Sequence, residues 1–229
     1  MNFCGVEKSS LVDFGDKLTC TVFTHGCNFK CPFCHNAKLV QDGPERDISD
    51  KEVFDYLVSR RRILDAVCVS GGEPTLHPEI REFLKGVKQM GLLTKLDTNG
   101  TNPDFLIKLI EDGLVDYVAM DIKNCFSSYG PITGTSDGYI SNVKKSVEIL
   151  LSDRVDYEFR TTLVNGFHTI ETVEEMAKDI NGAKRLYLQK FVDRGTCLTE
   201  GLEEISEEKA MEFLRVFSKT VKEVKLRGY

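Results

Sequence analysis

No stretch of this 229-residue chain stays apolar for anything near the roughly 20 residues that a bilayer crossing takes, and no signal-peptide core marks its beginning. The expectation is a cytoplasmic protein with no membrane partner. An excess of basic charge is missing too, since 30 Lys and Arg face 36 Asp and Glu for a net charge of −6. The short clusters Arg60-Arg61-Arg62 and Lys144-Lys145 read as solvated helix faces. Binding to nucleic acid relies on neutralised phosphates, so no nucleic-acid partner is expected. Neither an internal repeat nor a low-complexity tract interrupts the chain. Its 41% hydrophobic and 29% charged residues are those of a globular protein. One α/β domain over 1–229 is expected, with a core at about 18–191 and a C-terminal helix and tail over 192–229.

Apolar, β-branched runs alternate with helical patterns, which predicts βα units around a parallel sheet. Six strands are expected, at 18–24, 66–70, 92–97, 115–121, 156–164 and 185–191, and the tail VKLRGY offers one more. Ser49-Asp-Lys-Glu52 is a capping box ahead of Val53, Phe54, Leu57 and Val58. Ile80, Phe83, Leu84 and Val87 form one apolar helix face closed by Gly91, and Asn102-Pro103 opens a helix that stops near Gly113. Further helices are expected at about 139–151, with Val143, Val147 and Leu150 inward, at 171–180, and at 206–222, with Met211, Leu214, Phe217 and Val221 inward. Residues 192–205 read as irregular. Six units are too few for the eight-fold barrel and suit an open, partial one. Ligands in parallel α/β folds sit beyond the carboxyl ends of the strands.

Eight cysteines are present, but a disulfide framework belongs to small secreted chains. Cys4, Cys20, Cys68, Cys125 and Cys197 are scattered and read as small hydrophobes. Cys27, Cys31 and Cys34 instead crowd into one loop after the first strand, at C-x3-C-x2-C spacing. Short runs of thiolates hold iron–sulfur clusters, and three cysteines on a [4Fe-4S] cubane leave one iron open to a ligand. The rival reading is a structural zinc site made of these three and His35.

Polar clusters recur at later strand ends. Ser70-Gly71-Gly72-Glu73-Pro74 puts two glycines where a backbone can approach a ligand closely. Asp97-Thr98-Asn99-Gly100 and Asp121-Ile122-Lys123 place two acids at one mouth, where a bound cation could offset their repulsion. Arg160 lies on an apolar strand and must pair or reach solvent, either by bidentate carboxylate recognition or by an ion pair with Glu158 or another strand residue.

The cysteine spacing, with Phe33 before the third cysteine, resembles the radical S-adenosylmethionine (SAM) superfamily. The GGE, DTNG and D-x-K motifs are similar to those of its glycyl-radical-enzyme activating enzymes. Val22-Phe-Thr-His-Gly-Cys-Asn-Phe-Lys-Cys-Pro-Phe-Cys-His-Asn36 and Ser10-Leu-Val-Asp-Phe-Gly15 look like the anaerobic ribonucleoside-triphosphate reductase activating proteins. The resemblance implies a partial (βα)6 radical SAM barrel with parallel strands. It implies a [4Fe-4S] cluster on Cys27, Cys31 and Cys34, and SAM held by Gly71, Gly72, Glu73, Asp97, Thr98, Asn99, Asp121, Lys123 and Arg160. A monovalent cation near Asp97 and Asp121 is implied as well. The implied activity is reductive cleavage of SAM, fed by flavodoxin or ferredoxin, that places a glycyl radical on an anaerobic ribonucleotide reductase. Two alternatives stand beside it: a radical SAM enzyme acting on a small molecule, as in deazapurine synthesis, and a zinc-bound interaction protein without activity.

Overall fold

A computed structural model describes residues 1–37, 47–135 and 137–229. Its strands are β1 (Asn2–Phe3), β2 (Gly5–Ser10), β3 (Thr19–Thr24), β4 (Ile48–Ser49), β5 (Ala66–Gly71), β6 (Leu93–Thr98), β7 (Tyr117–Asp121), β8 (Asp156–Leu163), β9 (Arg185–Lys190) and β10 (Glu223–Arg227). The main sheet runs β10-β9-β8-β7-β6-β5-β3-β2. Every pair from β3 to β10 is parallel, while β2 joins β3 antiparallel. The six expected strands are all present, and the tail supplies the seventh parallel strand. The antiparallel edge β2 and the two-residue pair β1–β4 were not expected. Gly5–Ser10 is mostly solvent-facing and lacks the apolar run that marked the others.

The helices are α1 (Asp50–Arg60), α2 (Ile80–Gln89), α3 (Pro103–Glu111), α4 (Tyr129–Thr133), α5 (Asp137–Leu151), α6 (Ile170–Asp179) and α7 (Glu207–Phe217). Ser49 and Glu52 close a reciprocal cap on α1, and the Asn102 side chain accepts from the Phe105 amide at the start of α3. Two apolar faces differ from expectation. On α1 Val53 and Leu57 are buried while Val58 is exposed. On α7 the buried face is Ala210, Phe213 and Phe217, with Leu214 half-buried beside it and Met211 exposed, and the helix ends at Phe217 rather than 222. The short α4 contains Gly130 and Pro131 and has no counterpart among the expected helices. Residues 192–205 contribute no strand or helix beyond a bridge between Val164 and Glu204.

Successive strand residues face opposite sides of a sheet. Leu96, Val118, Met120, Tyr157, Phe159, Leu186 and Leu188 occupy the outer side and are buried in the apolar core with the helices. The other alternation, Cys68, Lys95, Asp97, Ala119, Asp121, Glu158 and Arg160, lines the concave side. The core therefore lies between sheet and helices, while the inside of the partial barrel is polar and charged. That interior is where the chemistry of the chain is placed.

Candidate functional site

The cysteine loop follows β3 and is anchored by its own aromatic residues. Phe29 is buried edge-on to Tyr129, with ring centroids 6.1 Å apart, and Phe33 packs on Phe167 at 5.8 Å. The Lys30 amide donates to the Thr133 carbonyl at 2.9 Å, which ties the loop to α4. The irregular segment after β9 straps the other side, through Thr199 N to Pro32 O at 3.1 Å and Thr196 Oγ1 to His35 O at 3.2 Å. Cys27, Cys31 and Cys34 line one cavity of about 240 Å³. Burial pushes the Cys27 thiol up to about 12 and the Cys31 thiol up to about 11, so binding iron would displace their protons.

The thiols fit a cubane better than a single ion. In a [4Fe-4S] cluster each thiolate takes a different iron, so the donors line a wall rather than converge. Among the described residues no three His, Cys, Asp or Glu side chains gather as ligands of one metal ion. His35, the fourth ligand of the zinc reading, stacks its ring on Phe191 with centroids 5.4 Å apart. A tetrahedral zinc set is thus not formed.

Behind the loop, the glycine that ends β5 and the one that follows it meet its backbone. A Cβ on Gly72 would lie 1.7 Å from Gly26 O, and one on Gly71, at φ 112°, would lie 2.3 Å from Thr24 N. Gly72 N donates to Thr24 O at 3.0 Å and Glu73 N to Gly26 O at 2.8 Å. The close approach predicted at these glycines is therefore made first to the root of the cysteine loop, although both also line the cavity.

Glu73 does not line the cavity. It is fully buried, with Oε1 accepting from Thr75 N, Thr75 Oγ1 and Thr98 Oγ1 and Oε2 accepting from Asn99 N at 2.6 Å. Burial raises its pKa despite these donors. The carboxylate expected at SAM is thus engaged by four donors and reaches the cavity only through the turn it holds. Asn99 in turn donates to Asn28 Oδ1 at 2.9 Å and to Cys27 Sγ at 3.8 Å, while its own Oδ1 accepts from Thr101.

The concave face carries an alternating chain of charge. Lys95 Nζ is 3.0 Å from Asp97 Oδ1, Arg160 Nη1 donates to Asp97 Oδ2 at 3.0 Å, Arg160 Nε to Asp121 Oδ1 at 2.8 Å, and Lys123 Nζ to Asp121 Oδ2 at 2.9 Å. Ser70 Oγ adds a donor to Asp97 Oδ2 at 3.0 Å. Arg160 sits opposite Asp121 in the β7–β8 register. Its partners are thus the two motif aspartates and not Glu158, which accepts from Tyr117 instead. Burial works against each charge, but Arg160 with Lys95 holds Asp97 well below the usual carboxylate range, and Arg160 with Lys123 lowers Asp121. The position between the two aspartates, where a monovalent cation was expected, is filled by the Arg160 guanidinium.

Apart from Glu73, all the expected contacts (Gly71, Gly72, Asp97, Thr98, Asn99, Asp121, Lys123 and Arg160) line the same cavity as the three thiols. Sequence reasoning missed Lys95, Asn28, Thr101, Tyr129 and His168. Lys95 was visible only as the residue two before Asp97 on one strand. His168 is fully buried, accepting from Val164 N at 3.1 Å and, through Nε2, donating to the Lys123 carbonyl at 3.1 Å. Burial lowers its pKa from 6.5 to about 4, so it is neutral in the folded protein near neutral pH. The assembled site presents open thiols beside a fixed, net-cationic wall, suited to a metal cluster next to a ligand with a carboxylate.

The family model described as the Radical SAM superfamily matches residues 21–180. A protein of Methanocaldococcus jannaschii named as a glycyl-radical enzyme activating enzyme is 34% identical over 194 residues, spanning 82% of this chain and 78% of its own length. The pyruvate formate-lyase-activating enzyme of Clostridium pasteurianum is 27% identical over 193 residues, 81% of this chain and 80% of its own. Among solved structures, Streptococcus suis SuiB bound to S-adenosylmethionine superposes with a TM-score of 0.70 at 13% identity, over 89% of this chain and 48% of that one. A radical SAM methyltransferase from Sphaerobacter thermophilus gives 0.69 at 16%, over 93% and 67%. At such identities the two structures establish likeness of fold alone.

Two outcomes follow from this geometry. Gly72→Ala forces apart the GGE turn and the loop root. It should lower iron uptake on anaerobic reconstitution and cost about 1–3 kcal/mol in chemical unfolding, whereas full iron and unchanged stability would contradict the packing. His168 binds its proton only in the unfolded chain between pH 6.5 and about 4. Stability should therefore fall as pH drops through that window, by about 3 kcal/mol from this residue. Urea unfolding of wild type and His168→Gln at pH 7 and pH 5 checks it, and equal pH slopes in the two proteins would refute it.

Proposed function

Because the chain belongs to the radical SAM superfamily, and within it to the glycyl-radical-enzyme activating enzymes, we propose that it installs a glycyl radical on an anaerobic ribonucleoside-triphosphate reductase. The observation that carries this reading is that the three-thiol loop and the Asp97–Arg160–Asp121 chain line one cavity. Cys27, Cys31 and Cys34 would hold the [4Fe-4S] cluster. The backbone of Gly71 and Gly72 would face the ammonium group of SAM, while Arg160 and Lys123 would take its carboxylate. Asp97, Thr98, Asn99 and Asp121 would wall the pocket, and Glu73 would hold two of these in place without touching SAM.

When bound and reduced, the cluster supplies the electron for the reductive cleavage of SAM. The chain's own residues do the rest by orientation and exclusion. Phe29 and Phe33 pack the loop against the barrel, and the charge chain would fix where a carboxylate can sit. The open mouth leaves room for a glycine-bearing segment of the partner. The reductase is favoured as partner by the likeness of Val22–Asn36 and Ser10–Gly15 to the reductase-activating proteins. A flavodoxin or ferredoxin in the cytoplasm is the electron donor this reading implies. No described helix is long and apolar enough to cross a membrane.

Reduced, reconstituted protein incubated with SAM and the cognate reductase should give a doublet glycyl-radical signal in electron paramagnetic resonance. The signal should vanish when the acceptor glycine is changed to alanine, and in each of Cys27→Ala, Cys31→Ala and Cys34→Ala. Transfer to a pyruvate formate-lyase but to no reductase would replace the partner, and productive cleavage on a small molecule alone would replace the reaction.

A further inference from the structure

Lys95 is the one cation of the charge chain that comes from below the cavity. It and Asp97 are two apart on β6 and so share the concave face. Lys95 is only 2% exposed, and its ammonium donates to the carbonyl of Asp13 in the segment that precedes β3. It also lies 3.0 Å from Asp97 Oδ1, an oxygen that is buried and accepts no aligned hydrogen bond. The charge on Lys95 is therefore what compensates that oxygen. The Asp13 side chain is itself held by Thr21 Oγ1 at 2.7 Å, which fixes the far anchor of the lysine.

Counted along the chain, Lys95, Arg160 and Lys123 give three positive charges, and Asp97 and Asp121 two negative ones, a net of +1. Glu158, the next acid on the same face, is buried and acts on both Lys95 and Arg160, and Arg227 faces it at 3.7 Å, so that this pair leaves the count at +1. A sodium or potassium ion beside the aspartates would have to displace Arg160 and would raise the local charge to +2, in a setting where repulsion is poorly screened. Both carboxylates already have side-chain cations.

We propose that Lys95 serves as the built-in cation of this site, holding Asp97 so that Arg160 is presented to the ligand carboxylate in one orientation, and that SAM binding by this chain needs no free monovalent ion. Lys95 touches neither cluster nor ligand and is a positioning residue. The proposal rests on the SAM reading of the cavity and deepens it.

The test is isothermal titration of SAM into the reconstituted protein, in buffer whose only added cation is tetramethylammonium and in sodium or potassium buffer of equal ionic strength. Wild-type affinity should be the same in all three. Lys95→Met should bind about ten-fold more weakly in tetramethylammonium, the loss of roughly one charge-assisted interaction. It should recover in part when sodium or potassium is added, with iron content and cluster spectrum as in the wild type and Lys95→Arg lying between. Wild-type binding that needs sodium or potassium would overturn the proposal, as would a Lys95→Met protein that binds like wild type without them. If Lys95→Met does not fold, the wild-type comparison alone decides. Failure of the wild type to bind SAM in any buffer would instead overturn the reading of the cavity.

Discussion

Five buried or half-buried charges in a row, Lys95, Asp97, Arg160, Asp121 and Lys123, constrain the interior of this barrel more than any apolar contact does. Taking charges out of water costs several kcal/mol each unless partners and hydrogen bonds compensate. Here every carboxylate lies between two cations, at 2.8–3.0 Å. The arrangement works only if β6, β7 and β8 keep the register that sets Asp97 beside Ala119 and Asp121 beside Arg160. A slip of one residue would turn all of them toward the apolar core. Deleting one member leaves its neighbour buried and unpaired, at a cost of about 3–5 kcal/mol. The apolar alternation on the outer face and the ionic alternation on the inner face thus specify the same register from opposite sides.

The cysteine loop depends on this wall without being part of it. Asn99, at the end of the strand that carries Asp97, reaches Asn28 and Cys27, and Glu73 holds Asn99 and Thr98 from behind. Gly71 and Gly72 let β5 touch the loop root, where any side chain would collide. From the far side, His168 supports the carbonyl of Lys123, the last cation of the chain. Thiols and charge chain are therefore tied to each other through short, hydrogen-bonded turns. Such ties would hold a cluster and a neighbouring ligand at a fixed separation.

Much of this was legible in the sequence because the signals were local. The six strands, the Ser49–Glu52 cap, the Asn102-Pro103 start and the C-x3-C-x2-C loop each lie within one short window, and the structure brings nearly all the motif residues to one cavity. What escaped depended on partners far along the chain. Glu73 belongs to a familiar motif, yet only Thr98 and Asn99, from the next strand, reveal that its oxygens are taken. Lys95 reads as an ordinary strand lysine until Asp13 and Asp97 close around it. Arg160 allowed either a ligand or an ion pair, and its place between two aspartates was a matter of sheet register. Strand β2 carries little apolar signal, and α4 hides behind its glycine and proline. Met211 and Leu214 lie on a stripe adjacent to Ala210 and Phe213, at the same helical spacing, and only packing against the rest of the chain selects between the two.

The central claim is that the charge chain exists to present Arg160 to the carboxylate of SAM. Titrating the reconstituted protein with SAM and with decarboxylated SAM, in wild type and in Arg160→Ala, measures the coupling between that side chain and that carboxylate. The account predicts that wild type strongly prefers SAM and that Arg160→Ala binds the two nearly alike. An undiminished preference in the variant would contradict it.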